Sequence, residues 1–308
     1  MPEETNYGFN IELERLHAED TDWLFGAASQ PCRALIPAEK RLKYLPVGEV
    51  QRGTEDFQDC ATRSPLNILE LKFNYLLGEG LLTKAEIDWL TKKKYLNKGR
   101  ITFSNRFNAM LSGTTRFGNS LKAPVDSVHR YGLIPEVMLP QSDTMSWNEY
   151  HDTTKITTEM TALGKEFLKY FPINYEKVYL ADYPDIIKQD EIGVAGYAWP
   201  WPNDDGTYPA QPGKPFNHAY AYVLEPAFVI YDNYIDQHDG DFIKKLAPDY
   251  ILMEYGYRVY IGTRLEELPQ PLTSQKMIAY LKLLLSQGKW QMVLDICKAL
   301  GRAIGMKV

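Results

Sequence analysis

The chain changes texture once. Up to Pro172 its apolar residues recur at helical spacing; from 178 to 262 they fall in short runs rich in Val, Ile and Tyr, split by Pro and Gly. Segregated helices and strands exclude a doubly wound parallel sheet and predict an α+β fold. Leu66, Leu69, Phe73 and Leu76 form one helical stripe that Gly78 closes. Pro65 is tolerated in a first turn, so this helix starts near 60–64 and Cys60 lies at or just before its N-terminus. Thr83 and Glu86 make a capping box ahead of Ile87, Trp89 and Leu90. Two more helices are predicted: 120–131, ended by Gly132, and 153–171, where Ile156, Met160, Leu163 and Phe167 repeat until Pro172.

Strands are predicted at 178–180, 192–197, 219–224, 227–231 and 257–261, as an antiparallel sheet or barrel. Residues 200–215 read as a loop. Residues 1–45 read as an irregular arm with one strand near its end. Residues 266–308 read as a helical tail broken at Gly288, whose stripe Met277, Leu281, Leu284 suits docking. The expected division is therefore arm (1–45), main domain (46–265, with a helical lobe 46–175 and a β lobe 176–265) and tail (266–308).

Composition removes several function classes. A net charge of −6, with Lys92–Lys93–Lys94 as the longest basic tract, gives no reason to expect nucleic acid or an anionic membrane as partner. No run approaches the roughly 18 apolar residues of a membrane span. The cysteines, Cys32, Cys60 and Cys297, are odd in number and far apart. That spacing predicts neither a disulfide framework nor a metal site, and it suits a reducing compartment. The first twenty residues are acidic and lack an apolar run, so no signal peptide is expected. The expectation from these features is a cytoplasmic protein without a cofactor.

A thiol reacts as thiolate, whose formation is favoured at a helix N-terminus and beside a His. Cys60 meets the first condition. Of the five histidines, His218 is the best partner: it opens the run 217–223 directly after a Gly/Pro loop, where a side chain can face a cleft. The next run ends in Asp232 and Asn233. Adjacent strands of that length bring a carboxylate or an amide beside the imidazole, fixing its tautomer. Side chains alternate along a strand, so one of the two faces His218. Asp152 reads as an N-cap, and His238–Asp239–Gly240 as a turn. The aromatic run 197–202 reads as barrel-edge packing or a loop over the cleft.

These pieces, in this order, resemble the papain-like cysteine peptidases. That family has a Gln shortly before a Cys that opens the central helix, then Asn-His-Ala entering a strand, then Ile-Lys-Asn-Ser-Trp. Here the counterparts are Gln51, Asp59–Cys60, Asn217–His218–Ala219 and the run 230–235; Gly118–Asn119 and 131–135 resemble the substrate-lining stretch, and 192–197 a β-lobe strand. The resemblance implies a two-lobe fold with Cys60 as nucleophile and His218 as base. Gln51 and the Cys60 amide would form the oxyanion hole, and Gly118, Asn119 and Asn217 would bind substrate. It puts Asp232 at the orienting position, with Asn233 as the alternative, and Tyr234 as the shielding aromatic. The gap from Gln51 to Cys60 is longer than the family's, Ala61 replaces a Trp, and the tail is foreign to it.

The arm, Glu49 with Gln51, Gly118–Asn119–Ser120, Asp232 with Tyr234 and the tail together resemble a divergent bacteriophage-encoded branch. Three functions are weighed: a thiol peptidase acting on peptide or isopeptide bonds, with a thiol of depressed pKa; a virion structural protein on a degenerate peptidase fold, forming homo-oligomers or assemblies through arm and tail; and a cell-wall amidohydrolase, which the long Cys60–His218 separation disfavours.

Overall fold

The computed structural model describes residues 8–17, 32–188, 190–197, 202–224, 228–235 and 241–263, except the side chains of 184 and 185. The expected tail, residues 198–201 of the aromatic run, His238–Asp239–Gly240 and Cys297 lie outside the described residues.

The architecture is α+β. Helices α1 (Ile11–His17), α2 (Ala38–Arg41), α3 (Cys60–Gly78), α4 (Lys84–Lys92), α5 (Asn105–Leu111), α6 (Lys122–Tyr131), α7 (Trp147–Tyr150) and α8 (Thr158–Tyr170) precede the main sheet, with the short β1 (Leu96–Asn97) and β2 (Arg100–Ile101) among them. α3 is the axis. Every residue from Cys60 to Leu76 is buried, so the helix has no solvent face. Pro65 lies beyond the first turn, where sequence alone disfavours it; packing on all sides overrides that preference. The buried polar groups of α3 are matched one by one, as burial demands. Asn67 donates to Asn233 (2.7 Å), Glu70 accepts from the Phe103 amide (2.7 Å), and Asn74 accepts from the Ile101 amide (2.9 Å). Lys72 pairs with Asp190 and with Glu191 (2.9 Å). The Thr83–Glu86 capping box forms as predicted. Gly132 ends α6 at φ +73°, and a Cβ there would meet the Gly164 carbonyl oxygen of α8 at 1.9 Å.

The seven-stranded sheet contains β3 (Ile173–Tyr179), β4 (Ile192–Gly196), β5 (Thr207–Tyr208), β6 (His218–Leu224), β7 (Val229–Tyr231), β8 (Ile243–Leu246) and β9 (Tyr255–Ile261), with α9 (Tyr183–Ile186) between β3 and β4. Its order is β3-β9-β4-β6-β7-β8-β5. All neighbouring strands run antiparallel except β5 and β8, which are parallel. α3 packs against β6, β9 and β4. The main core joins Leu66, Leu69, Phe73 and Leu76 to Val223, Val259 and Ile261 across that seam. Each Leu or Phe so buried contributes roughly 2 kcal/mol.

The arm departs from expectation. The arm was expected to be irregular with a strand near its end; it instead carries α1, α2 and a 3-10 turn (Leu42–Tyr44). Glu12 and Glu14 near its start and Arg15 near its end favour α1 electrostatically. Helix α5, which carries no long apolar stripe, starts after Ser104, whose hydroxyl caps the Phe107 amide.

Candidate active site

The approach to α3 is a tight, polar turn. Gln58 is left-handed (φ +56°) and its amide donates to Asp56 Oδ1 at 2.8 Å. Asp59 is the N-cap, yet its carboxylate turns to Arg63 Nε (2.8 Å) and to the Tyr150 hydroxyl. Cys60 is the first helical residue, so its own amide lies among those an α-helix leaves unpaired.

β6 brings His218 to the same place. His218 opens the strand opposite Gly196 of β4. The Cys60 sulfur accepts from the amide of the next residue, Ala219, at 3.3 Å. The His218 Nε2 meets Asp232 Oδ1 at 2.8 Å, just past the end of β7. Asn233 turns the other way: its side chain bonds Asn67 of α3 and the Glu49 carbonyl (2.9 Å). Strand alternation thus gives Asp232 to the imidazole and Asn233 to the scaffold. Tyr234 lies over the imidazole, ring centroids 5.2 Å apart.

Gln51 is fully buried, and its amide nitrogen donates to Asp56 Oδ1 and to the Tyr234 hydroxyl, both at 3.2 Å. The Tyr234 hydroxyl in turn donates to Asp56. Burial pushes the Asp56 carboxyl up, while bonds from Tyr234, Gln58 and Gln51 pull it down less.

The arm closes this site. The Phe9 amide donates to the Asn217 carbonyl (3.3 Å), the Asn10 amide to the Asn119 carbonyl (2.9 Å), and the Asn119 amide to the Gly8 carbonyl (3.0 Å). Phe9 pairs with Asn119 in a parallel bridge. A Cβ on Gly118 would meet Gly8 C at 2.3 Å, and one on Gly8 would meet Gln58 C at 2.5 Å. Only glycines permit backbones this close. So Gly118, Asn119 and Asn217, expected to bind substrate, hold the chain's own residues 8–10. Phe9 sits in one buried cluster with Cys60, Leu121, Ala195, Ala219 and Tyr257. α1 anchors the arm: Glu14 accepts from the Leu121 amide (2.5 Å) and His17 bonds Ser120 Oγ (2.8 Å). Leu133 and Ile134, from the stretch resembling a substrate pocket, belong to the main core.

Burial reverses one expectation. A depressed pKa was expected for Cys60; its thiol is 1% exposed, and burial pushes it well above the usual thiol range. The Ala219 amide lowers it, whereas Asp232, Asp59 and Asp56 raise it further. For Asp232 burial alone would raise the carboxyl, but His218, Lys244 and the Asn233 amide together hold it below the usual carboxylate range.

Sequence reasoning missed Asp56, Phe9 and Lys244. Only Lys244 left a signal: in a short strand carrying Lys244 and Lys245, alternation turns one of the two inward. Among the described residues no group of three or more His, Cys, Asp or Glu could hold a metal ion, and no helix is long and apolar enough to cross a membrane.

No family model and no curated protein matches the chain. Solved structures do. The chain is similar to xylellain, a cysteine protease from Xylella fastidiosa (TM-score 0.47, 12% identity, 84% of this chain and 96% of that one). It is also similar to digestive procathepsin L 3 of Tenebrio molitor larval midgut (TM-score 0.46, 12% identity, 84% and 76%). A third is a Carica candamarcensis cysteine protease (TM-score 0.45, 10% identity, 75% and 99%).

Proposed function

We propose that this chain is a papain-like cysteine peptidase that hydrolyses peptide or isopeptide bonds through an acyl-enzyme. The observation that carries the reading is the convergence of three distant residues: His218 Nε2 on Asp232 Oδ1 at 2.8 Å, with the Cys60 sulfur on the amide next to that His. With Nε2 committed to Asp232, Nδ1 is the ring nitrogen that takes the thiol proton. The thiolate adds to the carbonyl carbon. The C–N bond then breaks, and the amine leaves with the proton returned from His218. Water hydrolyses the thioester by the same base and restores the thiol. The oxyanion would be met by the Cys60 amide at the positive end of α3, and by Gln51 once its amide leaves Asp56. Residues 8–10 must leave before a substrate enters, so the described form is the resting one.

The second reading is a protein that keeps this scaffold with little or no activity, as a bacteriophage virion component would. The burial of Cys60 and its raised pKa favour its inert half. The test is the pH dependence of iodoacetamide labelling of Cys60 in wild type and His218→Ala, beside casein digestion by wild type and Cys60→Ser. The peptidase reading expects labelling that persists below pH 7, collapses in His218→Ala, and accompanies digestion lost in Cys60→Ser. Labelling that follows an ordinary thiol near pH 8.5 in both proteins, without digestion, selects the inert reading.

A further inference from the structure

Lys244 is a buried cation to which the Cys60–His218–Asp232 set gives no task. Along β8, Lys244 and Leu246 face inward while Lys245 is exposed. β8 pairs with β7 so that Lys244 stands opposite Ile230, two residues before Asp232. Its Nζ donates to the Tyr234 carbonyl at 2.6 Å and lies 3.5 Å from Asp232 Oδ2, with the side chain 0% exposed. Asp232 therefore has one basic group on each oxygen: His218 on Oδ1 and Lys244 on Oδ2.

Holding an ammonium in such a place is costly unless its charge is matched. Oδ1 of Asp232 accepts from His218 and from the Asn233 amide (2.7 Å), and Lys244 lies 3.5 Å from Oδ2, close enough to offset the carboxylate's charge. What Lys244 changes is the charge seen from the imidazole and the thiol. An uncompensated carboxylate against the imidazole over-stabilises imidazolium, and it opposes a thiolate nearby. Cys60 already faces Asp56 and Asp59 from the turn before α3 as well as Asp232 from the end of β7. The other groups around the imidazole, Tyr220 of β6 and Tyr234, are phenols. Lys244 is the cation placed to offset one of the three carboxylates.

We propose that Lys244 is a positioning residue that neutralises Asp232. The carboxylate then orients His218 as an uncharged acceptor would, without displacing the thiol–imidazole proton equilibrium. This rests on the peptidase reading above, and its test has a readout independent of turnover.

The experiment uses the full chain with 15N-labelled histidine. It follows the His218 imidazole titration by NMR and the pH midpoint of Cys60 labelling by iodoacetamide, in wild type, Lys244→Met, Lys244→Arg, Asp232→Asn and Asp232→Asn/Lys244→Met. Removing a cation at this range moves both midpoints up by about one unit in Lys244→Met. Lys244→Arg stays at wild type. The double variant, which loses both charges but keeps an acceptor for Nε2, returns to within a few tenths of a unit. Midpoints unmoved by Lys244→Met, or a double variant displaced as far as Lys244→Met, overturn the proposal. If Lys244→Met does not fold, the second change added to Asp232→Asn must raise both midpoints by the same unit; no rise overturns it equally. An ordinary thiol profile in wild type, insensitive to His218→Ala, sinks the peptidase reading alone, because the His218 titration still reads Lys244.

Discussion

Phe9→Ala tests whether residues 8–10 gate Cys60. Phe9 is 1% exposed and shares its buried cluster with the thiol, while the backbone bonds of residues 8–10 to Asn119 and Asn217 do not depend on its side chain. Truncating a core Phe costs about 3–5 kcal/mol. Part of that relaxes at a chain segment docked on a surface, so about 3 kcal/mol is the working figure. If the arm opens as a unit and recloses faster than iodoacetamide reacts, labelling scales with the open population. At about 1.4 kcal/mol per tenfold, the variant should label Cys60 about 100-fold faster at fixed pH. Cys32 is half-buried away from this cluster and serves as the internal reference. Peptide-resolved mass spectrometry reads both thiols in one sample. Gly118→Val is the independent lever, because its Cβ would strike Gly8 at 2.3 Å and its φ of +85° suits only glycine. It should accelerate Cys60 in the same way. The reasoning is refuted if the Cys60 rate is unchanged, or if Cys32 accelerates by the same factor, since that reports global unfolding rather than release of the arm.

Three further outcomes are expected. Glu136 is held up to about 8 by burial and then by Glu49, so its stabilising contribution is complete below about pH 4.5 and is lost as pH rises through about 8. Urea midpoints from pH 5 to 9 should therefore fall less in Glu136→Gln than in wild type, and parallel curves would contradict the assignment. Gln51→Ala should lower kcat about 100- to 1000-fold with KM little changed, as for loss of an oxyanion donor. An equal loss in the labelling rate of Cys60 would mean that Gln51 acts on the nucleophile instead. Lys72→Met takes from Asp190 and Glu191, each about 1% exposed or less, the cation they share, and should cost about 3–5 kcal/mol in urea unfolding. A loss below about 1 kcal/mol would show that Arg41 and Arg258, which also reach these carboxylates, suffice.

Local order was legible in the sequence because it is encoded by near neighbours. The stripe after Cys60, the capping box at Thr83, the stop at Gly132 and the runs that become β4, β6, β7 and β9 each depend on residues a few positions apart. Their segregation along the chain sufficed for α+β. The sequence also brought Cys60 to a helix start and His218 to a strand start, since the apolar stripe from Leu66 and the Gly/Pro loop before 217 are local signals, although Pro65 itself falls beyond the first turn.

What it could not decide is anything set by pairing or burial across long separations. Asp232 and Asn233 are equivalent as sequence; the register of β7 against its neighbours aims one at His218 and leaves the other to Asn67. The same holds for Lys244 and Lys245 on β8. Nothing in residues 8–17 announces that Gly8 fits only because Gly118 and the Gln58–Asp59 backbone lie against it. The reversal at Cys60 has the same origin. The helix terminus that favours a thiolate is local, whereas the desolvation that opposes it comes from residues distant in the chain, Phe9 of the arm and Leu121, Ala195, Ala219 and Tyr257 among them, and in this fold desolvation wins.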